Sequence, residues 1–122
     1  MALVLLAADA FGGAQRCLSM TVEYVKTRHQ FGTPLAQFQA VKHQLADMAV
    51  ELEPARALVW FAAYALDESL DDASRRASLA KAHLADRFTA IARASVLAHG
   101  GIGYTWEYDL QLWFRRAIFD SA

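Results

Sequence analysis

Phe38-Gln39-Ala40-Val41-Lys42-His43-Gln44-Leu45-Ala46-Asp47-Met48 opens the most regular stretch of this chain. Through it and beyond, Phe38, Val41, Leu45, Met48, Leu52, Ala55, Val59, Ala62 and Leu66 follow one another at alternating steps of three and four. Two turns of α-helix hold about seven residues, so this alternation places all of these side chains on one face. A stripe of that length is the seam of a helical bundle. Pro54 lies inside it. Its missing N–H removes one helix hydrogen bond, which predicts a kink near Glu51.

The helical reading extends in both directions. Upstream, helix one is expected from about Leu3 to Arg28, with Val4, Ala7, Ala8, Phe11, Ala14, Leu18, Val22 and Val25 on its apolar face. Gly12 and Gly13 interrupt that face, each costing about 1 kcal/mol against alanine. Close approach of another helix is their expected use, and a kink is the alternative. Gln30-Phe31-Gly32-Thr33-Pro34 breaks the pattern before helix two. Glycine permits a positive φ there, and proline cannot continue a helix.

Downstream, Asp67 to Ser74 is polar and acidic, a connection whose last acids are expected to cap helix three. Helix three carries Ala77, Ala80, Leu84, Phe88, Ile91, Ser95 and Ala98, and stops at Gly100-Gly101-Ile102-Gly103. Helix four is expected from an N-cap at Thr105, with Glu107 and Asp109 in its first turn and Leu110, Trp113, Phe114 and Ala117 as its stripe. Gln39 reads as a cap for helix two. No useful β-alternation occurs. The expectation is an all-α protein, an antiparallel up-and-down four-helix bundle forming one domain over residues 1–122.

Composition narrows the function classes. Hydrophobic residues make up 56%, against roughly 45–50% in an average soluble domain. The surplus points to a buried partner surface in addition to a core. A net charge of −1 with 20% charged residues argues against a nucleic-acid binder and against an acidic disordered tail. No apolar run approaches the ~18–20 residues of a membrane span. Met1 to Ala8 is apolar but lacks a basic lead, and Asp9 interrupts it, so it reads as buried helix rather than a signal peptide. The single cysteine, Cys17, favours a reducing compartment, and the cytoplasm is the expected location.

Metal and nucleophile chemistry find little support. His29, His43, His83 and His99 have no Glu-x-x-His or His-x-x-x-His spacing, so no metal site is expected. His43 and His83 read as lying on or near helix surfaces. Cys17 adjoins the core residue Leu18 and reads as a buried, inert thiol. Gly100-Gly101-Ile102-Gly103 follows no strand and is not a dinucleotide fingerprint. It could present backbone amides to an anion. By itself it fits a plain helix–helix turn better.

The strings in combination say more. Arg28-His29-Gln30-Phe31-Gly32-Thr33-Pro34-Leu35, then Phe38-Gln39-Ala40-Val41-Lys42-His43 with Leu45-Ala46-Asp47-Met48, then His99-Gly100-Gly101-Ile102-Gly103-Tyr104-Thr105-Trp106-Glu107-Tyr108 occur in that order. They resemble the C-terminal helical domain of the acyl-CoA dehydrogenase family over essentially the whole chain. The resemblance implies a flavin-dependent oxidoreductase acting on acyl-CoA thioesters, with N-terminal helical and middle β domains that this sequence does not include. It implies self-association as dimers or tetramers, or pairing with a homologous subunit, and an electron-transfer flavoprotein as acceptor.

It also implies an FAD site shared between subunits. Arg28 matches the arginine on the FAD diphosphate, a role that suits a rigid fork of donors. Phe31 matches a loop aromatic packed on the cofactor, and Gln30, Leu35 and Phe38 match neighbouring contacts. Gly100 and Gly101 match the turn that approaches the adenosine portion. On the residues alone, Arg28 could instead be a charge favourable at a helix C-terminus, and Phe31 a core plug. Glu107 reads as structural.

Two departures from the family pattern stand out. Leu97 replaces a frequent glutamine three residues before the glycine pair. The catalytic carboxylate of many members would fall just beyond Ala122, and in others it aligns with Ala2, which cannot act as a base. Asp9 lies two helical turns further on. No catalytic residue is therefore assigned in this chain. Both ends read as cut through apolar helix, as in a piece of a longer protein, and a non-catalytic partner subunit is the alternative function.

Overall fold

A computed structural model describes residues 1–121. Helix α1 spans Ala2–Thr27, and a two-strand hairpin follows, with β1 at His29–Gln30 and β2 at Thr33–Pro34. A 3-10 turn at Leu35–Gln37 leads into α2, Gln39–Asp67. Helix α3 spans Ala73–His99, a second 3-10 turn covers Gly100–Tyr104, and α4 spans Leu110–Ser121. The expected unfinished helix end at Ala122 lies outside the described residues.

Side-chain pairs give the helix directions. Gly13 faces Phe88, and Tyr24, further along α1, stacks on His99, further along α3. Those two helices are therefore parallel. Gln44 bonds to Ala94, Glu51 pairs with Arg87, and Phe61 lies under Arg76, so α2 runs against α3. Tyr108 meets Tyr24 and Arg116 meets Asp9, so α4 runs against α1. This is the expected up-and-down bundle, with the α1–α3 pair as its most extensive contact.

Small residues on α1 make that contact close. Ala7, Ala10, Gly13, Ala14 and Cys17 of α1 are all buried, as are Ala77, Ala80 and Ala92 of α3 together with the larger Leu84 and Phe88. Packing of this density leaves few voids larger than water. The α1 stripe is rotated from the sequence expectation. Ala8 is exposed and Phe11, Leu18 and Val22 are half-buried, while Ala10, Cys17, Met20 and Thr21 take the centre. The reason is steric, since α3 approaches too closely for large side chains. Phe11 and Leu18 pack from the flanks instead. The α2 seam holds as read, through Met48, Leu52, Ala55, Val59 and Ala62. Helix α2 stays continuous across Pro54, and Val50, whose carbonyl loses its donor there, is 71% exposed to water.

Three expected caps are not formed. Asp72 precedes α3, but its carboxylate pairs with Arg76 at 2.6 Å instead of with the helix N–H groups. Phe38, not Gln39, stands at the start of α2, without a side-chain bond. Thr105 does not start α4. Its hydroxyl and its N–H both donate to the Ile102 carbonyl, at 2.9 and 3.1 Å, closing the preceding turn. Gly103 has no side chain and fits tightly against Val96 and His99, which holds that turn on α3 and delays α4 to Leu110.

Candidate functional site

The loop between α1 and α2 is a tight hairpin. His29 pairs with Pro34 and Gln30 with Thr33, leaving Phe31 and Gly32 as its two-residue tip. Their φ angles are 54° and 77°, the left-handed pair of a type I′ turn. Glycine takes that backbone freely. A phenylalanine there is strained by about 1–2 kcal/mol. Phe31 is nonetheless 93% exposed, with its ring edge-on to Phe38 at 6.3 Å. It is no core plug, because the hairpin presents the ring outward.

The hairpin is tied to α1. The Arg28 N–H donates to the Tyr24 carbonyl and the Leu35 N–H donates to the Arg28 carbonyl, both at 2.8 Å. Leu35 and Phe38 are half-buried beneath the tip, and Gln30 is exposed. Arg28 is exposed and makes no salt bridge among the described residues. Its guanidinium is available for an anion.

The glycine turn lies at the same end of the bundle, where α1 and α3 finish and α2 begins. Its glycines serve different needs. Gly100 has φ 65° and ψ −144°, a backbone region essentially restricted to glycine. A Cβ on Gly101 would meet nothing within 4 Å, so the molecule leaves open space beside it. A Cβ on Gly103 would strike the Val96 carbonyl at 2.8 Å. Leu97, before the pair, is 63% exposed.

Between hairpin and turn lies an aromatic cluster, half-buried at its two tyrosines and buried at its histidine. His99, 4% exposed, lies parallel to the Tyr24 ring at 4.2 Å and tilted to Tyr108 at 4.9 Å. Its Nδ1 is 2.7 Å from the Ser95 carbonyl. Burial lowers the His99 pKa from the ordinary value, and the Ser95 carbonyl partly opposes this. Burial, reinforced by Glu23, raises that of Tyr108. The stack was missed in sequence because Tyr24, His99 and Tyr108 are far apart in the chain. A histidine directly before the Gly100-Gly101 pair was the one available sequence signal.

Elsewhere the chemistry is sparse. Among the described residues no group of three or more His, Cys, Asp or Glu converges. Burial pushes the Cys17 thiol up to about 12. A shallow groove of about 580 Å³ runs along the outer face of α2, lined by Glu53, Arg56, Ala57, Trp60, Phe61 and Tyr64. It begins ~20 Å along the helix from the hairpin. No described helix is long and apolar enough to cross a membrane.

The family described as acyl-CoA dehydrogenase, C-terminal domain, matches residues 4–121. The chain belongs to the acyl-CoA dehydrogenase family. It is 43% identical over 116 residues to acyl-CoA dehydrogenase IpdE2 of Mycolicibacterium smegmatis, covering 95% of this chain and 35% of that protein. It is 38% identical over 110 residues to the caffeyl-CoA reductase-Etf complex subunit CarC of Acetobacterium woodii, covering 90% and 29%. The butyryl-CoA dehydrogenase structure from Megasphaera elsdenii matches with a TM-score of 0.92 at 36% identity, over 97% of this chain and 30% of that one. The chain thus spans about a third of the length of the relatives it matches. This acyl-CoA dehydrogenase domain gathers all the sequence-expected contact residues, Arg28, Gln30, Phe31, Leu35, Phe38, Gly100 and Gly101, at one end of its bundle.

Proposed function

We propose that this domain completes an FAD site across a subunit interface in an acyl-CoA dehydrogenase and forms part of the acyl pocket. The observation that carries the reading is the exposed Phe31, held outward on a left-handed backbone close to Arg28, which makes no salt bridge among the described residues. A strained, solvated aromatic persists where it serves an external contact. The donor set fits the cofactor. The Arg28 fork would hold the diphosphate, Phe31 would cover an apolar ring face, and the space beside Gly101 would admit the adenosine portion. Gln30, Leu35 and Phe38 would support that contact. When bound, FAD supplies a hydride acceptor for the α,β-dehydrogenation of an acyl-CoA thioester.

Self-association, as a dimer or tetramer, would bring the hairpin to a neighbouring subunit's cofactor. The exposed Trp60, Phe61 and Tyr64 on α2 offer an apolar face for it. An electron-transfer flavoprotein would take the electrons, in keeping with the Etf complex named for the Acetobacterium relative. A second reading is a partner subunit that lends contacts but no base. Ala2 at one aligned base position and the exposed apolar Leu97 beside the glycine pair favour it.

The test is Arg28→Ala in the full-length protein. The ratio of flavin to protein absorbance after gel filtration should fall while helical circular dichroism is unchanged. An unchanged ratio would overturn the reading.

A further inference from the structure

Tyr24 touches both halves of the proposed flavin site. Its carbonyl accepts the Arg28 N–H at 2.8 Å. Its hydroxyl donates to the His99 carbonyl, immediately before Gly100, at 3.3 Å. Its ring lies on the face of the His99 imidazole, and Tyr108 abuts both rings, 4.9 Å from the imidazole and 6.2 Å from Tyr24. Gly103 is seated against the Cβ of His99, where an added side chain would come within 3.1 Å. The end of α1, the glycine turn and the segment leading into α4 therefore meet on one imidazole.

The hydrogen bonding of that ring is one-sided. A carbonyl oxygen only accepts, so the Nδ1 facing Ser95 carries the proton. Nε2 is then a bare acceptor, fully buried and without a partner among the described residues. An unpaired buried nitrogen costs stability that a leucine or phenylalanine at this place would not. Protonation would worsen it by creating a buried Nε2–H with no acceptor. The charges around the stack, Arg16 and Glu23 on α1 and Asp109 before α4, act on the Tyr108 hydroxyl. What acts on the imidazole is its burial and the Ser95 carbonyl.

We infer that His99 is a positioning residue which, as the neutral imidazole stacked on Tyr24 and abutted by Tyr108, sets the Gly100–Gly101 turn against the Arg28 hairpin. This rests on the flavin reading above. FAD affinity should then respond to the imidazole's charge even while the fold is intact. Protonation on the acid side moves the turn away from the hairpin and loosens the cofactor.

The experiment measures FAD dissociation constants for the full-length protein by flavin fluorescence, between about pH 8 and about pH 5. Far-UV circular dichroism confirms the fold at each point. Wild type should lose affinity toward the acid end, and His99→Phe, which keeps a ring but cannot protonate, should show a flat profile there. Tyr24→Phe, which removes only the hydroxyl, should weaken FAD about fivefold across the range, the worth of one ordinary hydrogen bond. His99→Asn also cannot protonate and should be flat too, which keeps the test open if the phenylalanine variant fails to fold. An acid-side loss that persists in a folded His99 variant, or a Tyr24→Phe affinity equal to wild type, would overturn the inference. If Arg28→Ala weakens FAD in the same assay while the His99 and Tyr24 variants do not, only this inference falls. If Arg28→Ala also leaves FAD unaffected, the flavin reading falls and takes this one with it.

Discussion

The Phe88 ring occupies the space where a side chain on Gly13 would stand. Helices α1 and α3 therefore meet there with no room for a methyl group. Gly13→Ala should destabilise the fold by about 1–3 kcal/mol, the usual cost of overpacking a core. Gly12, its neighbour, has nothing within 4 Å of an added Cβ. Gly12→Ala should be stabilising by about 0.5–1 kcal/mol through helix propensity alone. Urea denaturation midpoints check both, and equal shifts in the two variants would contradict the packing account.

The glycine pair separates fold from binding in the same way. Gly100→Ala forces a side chain onto a backbone at φ 65° and ψ −144°, which should cost about 1–3 kcal/mol. Gly101→Ala should leave thermal stability near wild type and weaken FAD binding, because the space its methyl fills lies outside the bundle. Melting temperature and flavin titration on the same samples read the two effects apart.

Cys17 is fully buried and its thiol is pushed up to about 12. Thiolate is the reactive form. The native protein should resist iodoacetamide near neutral pH and label readily in denaturant. Rapid native labelling, followed by mass spectrometry, would mean that the α1–α3 seam opens frequently.

Asp120 has a side chain only 2% exposed, 3.2 Å from Arg116 Nε, while Arg116 also grips Asp9 at 2.9 Å. Burial, and then the neighbouring Asp9, raise the Asp120 pKa above its ordinary 3.8. A carboxyl raised in the folded state contributes stability below its unfolded pKa and loses it as pH rises through the folded value. Asp120→Asn keeps the neutral form at every pH and leaves Asp9 to Arg116. Its stability should fall less than that of wild type between acid and neutral pH, as read by denaturant midpoints. Parallel profiles would show that Asp120 titrates normally.

Trp60 is 73% exposed on the outer face of α2, beside the half-exposed Phe61 and Tyr64. Contiguous apolar surface of this kind marks interaction sites. Trp60→Glu should lower the sedimenting mass of the full-length protein without changing its helix content. An unchanged mass would place self-association on another face.

The α2 seam was legible because it obeys one local rule over many turns, and Met48, Leu52, Ala55, Val59 and Ala62 are buried as that rule requires. Helix α1 was legible as a helix but not in its rotation. Its periodicity admits neighbouring stripes, and only the closeness of Phe88 selects the one through Ala10, Gly13 and Cys17. The missing caps show the same limit. Asp72 has the right position and chemistry, yet Arg76 one turn on takes its carboxylate. Of the candidate site, Arg28 and Phe31 were readable from their motif. The outward tip was not, since a left-handed phenylalanine runs against local preference.

What the sequence by itself determined is the set of helices, the small-residue character of α1 and α3, and the motif strings that carry the family. These follow from side-chain period, turn chemistry and residue type, all local properties. What only the tertiary structure decided is the parallel register that sets Tyr24 on His99, and with it the meeting of the Arg28 hairpin and the Gly100–Gly101 turn at one end of the bundle. Those residues lie far apart in the chain. Their contact depends on how closely two helices can approach, which the summed packing of many side chains decides and no local pattern encodes.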